Sequence, residues 1–320
     1  MTQLWLKHRP DSLAHMVGLD ALKEDAKGWV SYEQNNYVLR CGGVIFTGGP
    51  GTGKTSAARA IAKDALGSNF EANYHSFNAS DDRGIQFVRD RLKALAQQKA
   101  INSTFKVINL DEADGLTRDA QDSLRSIIEE TCTHVLWILT CNRVARIIPA
   151  LRSRLPTYTF GGLEGEEAEG FLSGIIEEEG YPSRWADSVP LLITKHKGDL
   201  RACLKTMQIC DPDDADALAR HTEQTTKEMV MLFNEIHARD WDEALQLCNH
   251  IVDQGTTRDE MIDGLHQAVL EHYDSNEIGV SIALRYVLIL GQWAARSANW
   301  TVGDILFLHS IVGDIEARVN

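Results

Sequence analysis

A glycine-rich stretch near residue 50 constrains the fold of this chain more than any other part of the sequence. It reads Gly48-Gly49-Pro50-Gly51-Thr52-Gly53-Lys54-Thr55, which matches the pattern G-x-x-x-x-G-K-[ST]. An apolar run at 44–47 precedes it, and residues 55–66 have a helical pattern. In that context the backbone N–H groups of the loop and of the helix start face phosphate oxygens. The sequence therefore predicts a phosphate-binding loop between a buried strand and a helix.

This loop predicts which residues would bind ATP. Lys54 is expected to reach the β- and γ-phosphates, and the Thr55 hydroxyl is expected to bind Mg²⁺. The predicted ATP-binding residues of the loop are Gly48, Pro50, Gly51, Thr52, Gly53, Lys54, Thr55 and Ser56. The alternative is a glycine loop that matches by chance, and a second matching element downstream argues against it.

The second element is an acidic pair, Asp111 and Glu112, which ends the apolar run 107–110. Folds with parallel sheets bind ligands at the carboxyl ends of their strands. We expect Asp111 to hold Mg²⁺, largely through water, and Glu112 to activate the attacking water. Asn142 follows the run 136–140 and can hydrogen-bond that water or the γ-phosphate, although asparagine is also common at strand ends. Two carboxylates could also simply start a helix, but the glycine loop favours catalysis.

Strands and helices alternate in the first half of the chain. Strands are predicted at 44–47, 73–78, 105–110, 135–140 and 157–160, and helices at 55–66, 85–97 and 120–130. This alternation predicts a parallel sheet with helices on both faces. Gly161-Gly162 ends the pattern, and helical segments follow at 163–210, 228–239, 242–254, 258–273, 279–297 and 303–317. We therefore expect three domains, at 1–160, 161–224 and 225–320.

Charge and composition narrow the class of protein. The net charge is −14 over 320 residues, yet residues 1–160 carry 20 basic and 17 acidic residues, a net charge of +3. A polyanionic partner is therefore expected to contact the first half, although an acidic helical half can also serve solubility alone. No apolar window approaches a membrane span of about 18 residues and no signal peptide is found, so no membrane partner is expected. Six cysteines without a C-x-x-C pair indicate reduced thiols and a cytoplasmic location.

Six further stretches narrow the family. They are Trp5-Leu6-Lys7-His8-Arg9-Pro10 with Val17-Gly18, Asn78-Ala79-Ser80-Asp81-Asp82-Arg83-Gly84-Ile85, Asp111-Glu112-Ala113-Asp114, Gln121-x-x-Leu124-Arg125, Ser153-Arg154 and Gly198-Asp199-Leu200-Arg201. Together they resemble the clamp-loader small subunits, the replication factor C family of AAA+ ATPases. His8 stands where this family usually has Tyr, and Leu155 where it has Cys. The resemblance implies an α/β P-loop AAA+ domain with a parallel sheet, then a small helical lid domain and an all-α collar domain.

The resemblance also implies roles for individual residues. Arg9, Pro10 and Val17 would border the adenine. Asn142 and Arg201 would sense the γ-phosphate, Arg201 from the lid, and Asn78 would restrain Glu112 until DNA is bound. Arg154 would be an arginine finger in a neighbouring subunit's site, where such a group is worth about 10³–10⁵ in rate. The alternatives are a surface Arg201 paired with Asp199 and an Arg154 paired with an acidic group of its own chain.

The implied partners are other clamp-loader subunits (copies of this chain and possibly a large subunit), a sliding clamp and primer–template DNA. Such DNA is held by its phosphates, independently of sequence. The candidate DNA contacts are Arg83, Arg89, Lys93 and Arg118, although a solvated charged face explains Arg89 and Lys93 equally well. The segment 95–101 is a candidate clamp contact. A short chain without basic tails favours an archaeal or viral origin over a nuclear one.

Two other interpretations remain open. The chain could be another AAA+ motor, such as a branch-migration helicase, a recombination-associated ATPase or an unfoldase, or it could be a non-enzymatic scaffold subunit. An unfoldase needs an aromatic pore loop, and residues 81–100 offer only Phe87, within a predicted helix. A helicase of this class usually adds a winged-helix domain with a β-hairpin, and no strand pair is predicted after residue 161. A scaffold is opposed by the intact residues Lys54, Thr55, Asp111, Glu112 and Arg154.

Overall fold

A computed structural model divides the chain into two compact units, Met1–Asp213 and Asp214–Asn320. It describes residues 3–33, 36–80, 84–163, 165–253, 256, 258–275, 277–297 and 303–319. The first unit contains every strand found in these ranges, and the second unit is helical. Each unit is considered separately below.

The first unit is built on a five-stranded parallel sheet. The strands of the chain are β1 (Val30–Glu33), β2 (Asn36–Leu39), β3 (Gly43–Gly48), β4 (Tyr74–Asn78), β5 (Lys106–Asp111), β6 (Val135–Cys141) and β7 (Thr157–Phe160). β3 to β7 form the sheet in the order β4-β5-β6-β3-β7, with every neighbouring pair parallel. The predicted parallel sheet is confirmed, and each predicted strand lies within one residue of its observed position. β1 and β2 form an antiparallel hairpin that was not predicted.

The helices of the first unit were predicted in part, at 55–66, 85–97, 120–130 and within 163–210. They are α1 (Leu4–Lys7), α2 (Asp20–Ala26), α3 (Lys54–Leu66), α4 (Phe70–Asn73), α5 (Lys93–Gln97), α6 (Arg118–Thr131), α7 (Pro149–Arg152), α8 (Glu166–Glu179), α9 (Val189–Lys195) and α10 (Leu200–Ile209). The predicted helix at 85–97 contains a π-helical stretch, Phe87–Leu92, before α5. A π-helical turn is typical of functional segments, and apolar spacing alone does not reveal it.

Both faces of the sheet are buried, as expected of a parallel sheet. On one face, Ala57, Ile61 and other residues of α3 pack on β3, β5 and β6. On the other face, Leu92, Leu124 and their neighbours pack from the 87–97 segment and α6. The strands β3 and β6 are buried along nearly their whole length, which fixes the carboxyl ends of β3, β5 and β6 at one edge. This edge carries the glycine loop and the acidic pair.

The second unit consists of five helices: α11 (Ala217–Ala238), α12 (Trp241–Asp253), α13 (Arg258–Asp274), α14 (Val280–Ser297) and α15 (Asp304–Val319). They surround one core that contains Phe233, Trp293 and Phe307. α11 begins eleven residues before its predicted start at 228, so the predicted domain boundary at 224 falls inside it. The division into three domains stays a prediction. In the described parts of the chain, no helix has the length and apolar character needed to cross a bilayer.

Candidate functional site

The glycine loop turns from β3 into α3 through backbone conformations that favour glycine. Gly51 and Gly53 have φ of 71° and 92°, in the left-handed region that disfavours residues with a Cβ. Gly48 pairs with Phe160 of β7, and a Cβ on Gly48 would lie 2.0 Å from the Phe160 carbonyl oxygen. The loop therefore depends on glycine both for its turns and for the close approach of two strands.

Lys54 begins α3 and is largely buried beneath the loop. Its Nζ donates hydrogen bonds to the carbonyl oxygens of Gly48 at 2.8 Å and Gly49 at 2.5 Å. Burial lowers the pKa of the Lys54 ammonium, and the nearby Asp111 carboxylate partly opposes that shift. The lysine thus lies across the loop, where an arriving phosphate would contact it.

Thr55 and Asp111 meet across the gap between α3 and β5. The Thr55 hydroxyl lies 3.1 and 2.9 Å from the two Asp111 carboxylate oxygens. Asp111 Oδ1 also accepts a hydrogen bond from the Thr140 hydroxyl at the end of β6. The result is a cluster of hydroxyl and carboxylate oxygens, which is the ligand chemistry that Mg²⁺ prefers.

Glu112 follows Asp111 and is exposed to the cavity. Its backbone is left-handed, with φ 54° and ψ 40°, a conformation that costs roughly 1–3 kcal/mol in a residue other than glycine. Its backbone N–H donates to the Thr140 hydroxyl at 3.2 Å. The end of β6 therefore holds the Glu112 backbone at the mouth of the site through a specific contact.

The loop after β6 is held by Asp114. The Asp114 carboxylate accepts hydrogen bonds from the backbone N–H groups of Asn142 at 3.3 Å and Arg143 at 3.1 Å. The Asn142 side chain is exposed and lines the same cavity as Lys54 and Glu112. Two segments that are distant in sequence are thus fixed to each other beside the acidic pair.

These groups line one cavity of about 730 Å³, which lies within the first unit. Its walls are the segment 5–22, the glycine loop, the ends of β5, β6 and β7, and the start of α10. Of the predicted ATP-binding residues, these line it: Arg9, Pro10, Val17, Pro50, Gly51, Thr52, Gly53, Lys54, Thr55, Ser56, Asn142 and Arg201. Gly48 lies behind it, where its carbonyl accepts from Lys54.

The N-terminal segment reaches both the loop and the lid helices. Arg9 Nε donates to the Ser56 hydroxyl at 3.2 Å, which ties this segment to α3. The Arg201 guanidinium lies over the Trp5 ring, 5.3 Å from its centroid, at the start of α10. Lys7 forms an ion pair with Glu179 at 2.7 Å, and the nearly buried His8 ring contacts the same carboxylate. One wall of the cavity is therefore anchored to α8 and α10.

Two residues with predicted roles contact other groups. Arg154 follows α7 and lies outside the cavity, where its guanidinium contacts Glu129 and donates to the Ala150 carbonyl at 2.9 Å. The hydrogen bond from Arg154 lowers the pKa of the Glu129 carboxyl. Asn78 Oδ1 accepts from the backbone and hydroxyl of Ser80, at 2.9 and 2.8 Å. Both arginine and asparagine thus contact groups of their own chain.

The predicted DNA contacts lie on the 87–97 segment and on α6. Arg89 and Arg118 are exposed, and Lys93 lies 3.6 Å from Glu130. Arg83 lies outside the described residues. Arg89, Lys93 and Arg118 therefore occupy accessible or partly accessible positions on the helices that cover one face of the sheet.

Several residues of the site were not found from the sequence. No motif in the sequence contains Thr140, whereas Trp5 and Asp114 lie in stretches that carry the family resemblance but had no role assigned to them. Tyr158 of β7 lines the cavity, and its hydroxyl donates to Asp25 at 2.8 Å. Burial and this hydrogen bond raise the pKa of Tyr158 to about 12. Thr140 and Tyr158 lie within predicted strands, and their only sequence signal is a polar group among the residues of a strand.

Comparison with known proteins gives consistent results. Residues 44–162 match the sequence model of the ATPase family associated with various cellular activities (AAA). The replication factor C small subunit of Archaeoglobus fulgidus is 34% identical over 276 residues, which cover 84% of each chain. That of Halobacterium salinarum is 30% identical over 304 residues, covering 93% of this chain and 91% of the relative. Among solved structures, a point variant of Thermotoga maritima RuvB has a TM-score of 0.53 at 17% identity, covering 71% of this chain and 78% of that one, which supports the fold alone.

Proposed function

Because the chain belongs to the family of replication factor C small subunits, we propose that it opens a sliding clamp and loads it onto primer–template DNA, using ATP. Membership of this family and of the AAA ATPases supports ATPase activity and a clamp-loader role. The finer features proposed below are the ring or spiral oligomer, the trans-acting finger and the contacts with clamp and DNA.

One observation carries the ATPase proposal: an ammonium, a hydroxyl and two carboxylates face one cavity at the carboxyl edge of the sheet. Lys54 would contact the β- and γ-phosphates beside the loop N–H groups. Glu112 would orient the attacking water and accept its proton, while Asn142 would hydrogen-bond the water or the γ-phosphate. Arg9, Pro10 and Val17 would border the adenine.

The residues present fit Mg²⁺. Thr55 and Asp111 supply oxygen atoms 2.9 and 3.1 Å apart, and a hard divalent cation prefers such ligands. When bound, Mg²⁺ would neutralise charge on the β- and γ-phosphates. Thr55 and Asp111 would hold it, Asp111 largely through water.

Two arginines would complete the site from different directions. Arg201 would reach the γ-phosphate from α10, and its position over Trp5 ties it to the N-terminal segment. Arg154 would enter the site of a neighbouring subunit, because it lies outside its own cavity and nearly half of its side chain is accessible. To do so, the Arg154 guanidinium would have to leave Glu129 and contact the transferring phosphoryl group of the neighbouring site. The Asn78 side chain would leave Ser80 and contact Glu112, and so restrain hydrolysis before DNA binds.

The contact surfaces are proposed from exposure and charge. Arg83, Arg89, Lys93 and Arg118 would follow the DNA phosphates, so binding would be independent of sequence and sensitive to salt. The segment 95–101 would contact the clamp, and its residue Ile101 is 59% exposed.

The second unit would serve as the oligomerising collar. On α14, Val280, Leu284 and Leu288 recur every four residues and are 56%, 56% and 65% exposed, which forms an apolar stripe on one face. A neighbouring subunit, either a copy of this chain or a large subunit, would cover that stripe. We propose domains at 1–160, 161–224 and 225–320, a cytoplasmic location and an archaeal or viral origin.

Steady-state ATP hydrolysis tests the function, with and without primed DNA plus a sliding clamp and any large subunit from the same genome. We expect a weak basal rate that rises with DNA and clamp together. In Glu112→Gln the rate should fall about 10²–10⁴-fold, and in Arg154→Ala about 10³-fold or more. Arg152→Ala, an exposed arginine two residues away, is the matched control and should behave like the wild type. A rate indifferent to clamp but raised by branched DNA or a protein substrate would contradict the loader role and favour another AAA+ motor.

A further inference from the structure

Thr140 lies at the carboxyl end of β6, between the glycine loop and the acidic pair. β6 is flanked by β5 and β3, and Thr140 pairs with Phe46 of β3. The residue is 1% exposed, although it also borders the cavity. A buried hydroxyl at this position must satisfy its hydrogen bonds with protein groups or with the contents of the cavity.

The Thr140 hydroxyl makes two hydrogen bonds of opposite sense. It donates to Asp111 Oδ1, and it accepts from the backbone N–H of Glu112 at 3.2 Å. A hydroxyl carries one hydrogen and two acceptor lone pairs, so it can make both bonds at once. An aliphatic side chain of the same shape can make neither. Thr140 therefore bonds both to the Asp111 carboxylate and to the N–H of the peptide that joins Asp111 to Glu112.

The bond to Glu112 occurs where the backbone leaves the sheet. The paired register of β5 with β6 ends at Leu110 and Leu139, and that of β5 with β4 ends at Asp111 and Asn78, so the Glu112 N–H lies beyond both ladders. Glu112 then takes a left-handed conformation that residues with a Cβ disfavour. Without the Thr140 hydroxyl, the Glu112 N–H would lose its acceptor, and more extended backbone conformations would become accessible to this residue.

We propose that Thr140 is a positioning residue for ATP hydrolysis. Its hydroxyl fixes the peptide between Asp111 and Glu112, and so sets where the Glu112 carboxylate stands relative to the γ-phosphate. This inference rests on the ATPase activity proposed above. Thr140 acts on the chemical step rather than on nucleotide binding, because its hydroxyl bonds to protein groups while Lys54 and the glycine loop are the groups placed to hold the phosphates.

Three variants distinguish the effect of the Thr140 hydroxyl from the effect of side-chain packing. Thr140→Val keeps the shape and removes the hydroxyl, and Thr140→Ser keeps the hydroxyl. Thr131→Val is the matched control, since Thr131 is 2% exposed and its hydroxyl also makes two hydrogen bonds, donating to Ile127 at 2.7 Å and accepting from Trp137 at 3.0 Å. Thr131 lies at the end of α6, outside the cavity. Both valine variants lose a buried hydroxyl, but only one loses contact with the acidic pair.

The first measurement is kcat, KM and the Kd for a fluorescent ATP analogue, with Mg²⁺ present. Because small misplacements of a catalytic group can cost about 10²-fold, we expect Thr140→Val to lower kcat at least 10-fold while Kd changes less than about 3-fold. Thr140→Ser should restore most of kcat, and Thr131→Val should keep kcat at temperatures where it is folded. A Thr140→Val variant with kcat within about 3-fold of the wild type would overturn the proposal. So would a Thr140→Ser variant as slow as Thr140→Val.

The second measurement does not depend on hydrolysis. Amide hydrogen exchange of a peptide spanning 110–116 reports whether the Glu112 N–H is protected. We expect faster exchange there in Thr140→Val and unchanged exchange in Thr131→Val and Thr140→Ser. Unchanged exchange in Thr140→Val would overturn the proposal even if ATP is hydrolysed. A wild-type chain that is stably folded and protected at 110–116, yet hydrolyses no ATP in the full assembly, would instead contradict the proposed function.

Discussion

Gly48 provides a sharp test of how the glycine loop is built. Its backbone pairs with Phe160, and in Gly48→Ala the new Cβ would lie 2.0 Å from the Phe160 carbonyl oxygen and 2.9 Å from the carbonyl carbon. A Cβ atom essentially never lies closer than 3.0 Å to a heavy atom to which it is not covalently linked, so β3 and β7 must separate by about 1 Å or more. The two Phe160 atoms that the Cβ would meet belong to the backbone, so no side-chain rotation can relieve the contact.

The magnitude follows from the cost of overpacking. Forcing extra atoms into a packed region costs about 1–3 kcal/mol, occasionally more. We expect a value near 3 kcal/mol, because the strands on both sides are fixed by the sheet. For a domain of about 200 residues, 1 kcal/mol lowers Tm by about 2–4 °C, so Gly48→Ala should lower the Tm of the first unit by about 6–12 °C.

Gly49→Ala is the matched control in the same loop. A Cβ at Gly49 meets only Thr52 Cγ2, at 3.8 Å, and Gly49 is not among the glycines with positive φ. Differential scanning calorimetry of both variants without nucleotide gives the comparison. A Tm of Gly48→Ala within about 2 °C of that of Gly49→Ala would refute the argument, because it would show that the two strands separate at little cost.

Two further predictions concern the surroundings of the cavity. In Asp114→Ala the two backbone N–H groups after β6 lose their acceptor, so we expect kcat for ATP to fall about 10-fold with Kd nearly unchanged. Asp119→Ala, an exposed carboxylate at the start of α6, is the control, and equal effects of both variants in steady-state kinetics would refute the assigned contact. For Glu179, the hydrogen bond from Lys7 holds the carboxyl pKa below its ordinary 4.5. Its stabilising contribution is therefore present above about pH 4.5 and is lost as pH falls through the lowered pKa. Glu179→Gln should have a lower Tm than the wild type at about pH 7, and the difference should shrink in thermal melts as the pH falls below about 4.5; a constant difference would contradict the ion pair.

The strands β3, β5 and β6 could be predicted because they are buried on both faces and read as nearly continuous apolar runs. The strands β4 and β7, at the two edges of the sheet, are only partly buried and contain the aromatic residues typical of strands. β6, for example, was predicted at 135–140 and is observed at Val135–Cys141. The hairpin of β1 and β2 lacks such a run, so nothing in its sequence distinguished it from a loop. The start of α11 at Ala217 was missed because residues 220–227 are polar, although Ala217 and Leu218 before them are buried. A polar stretch has no apolar periodicity from which a helix can be recognised.

The candidate site also contains some residues that the sequence identified and others that only the structure reveals. The glycine loop and the acidic pair are each a continuous stretch of sequence, and the structure places Lys54, Thr55 and Asp111 around one cavity. Thr140 could not be predicted, because its role depends on the pairing of β5 with β6 and on the backbone conformation of Glu112. The ion pair of Arg154 with Glu129 joins two segments through their packing, and neither residue indicates the other in the sequence.

The attachment of the N-terminal segment to the lid helices bears on the order of events during synthesis. The Leu4 backbone N–H donates to the Gln208 side chain across 204 positions of the chain, at 3.0 Å. The last strand of the sheet ends at Phe160, about 50 residues earlier. At about 5–20 residues per second, a ribosome needs about 2–10 s to add those residues. During that interval the nascent chain contains every residue of the sheet and of the glycine loop but lacks α10, whose first residues line the cavity, so the complete pocket becomes available late in biosynthesis.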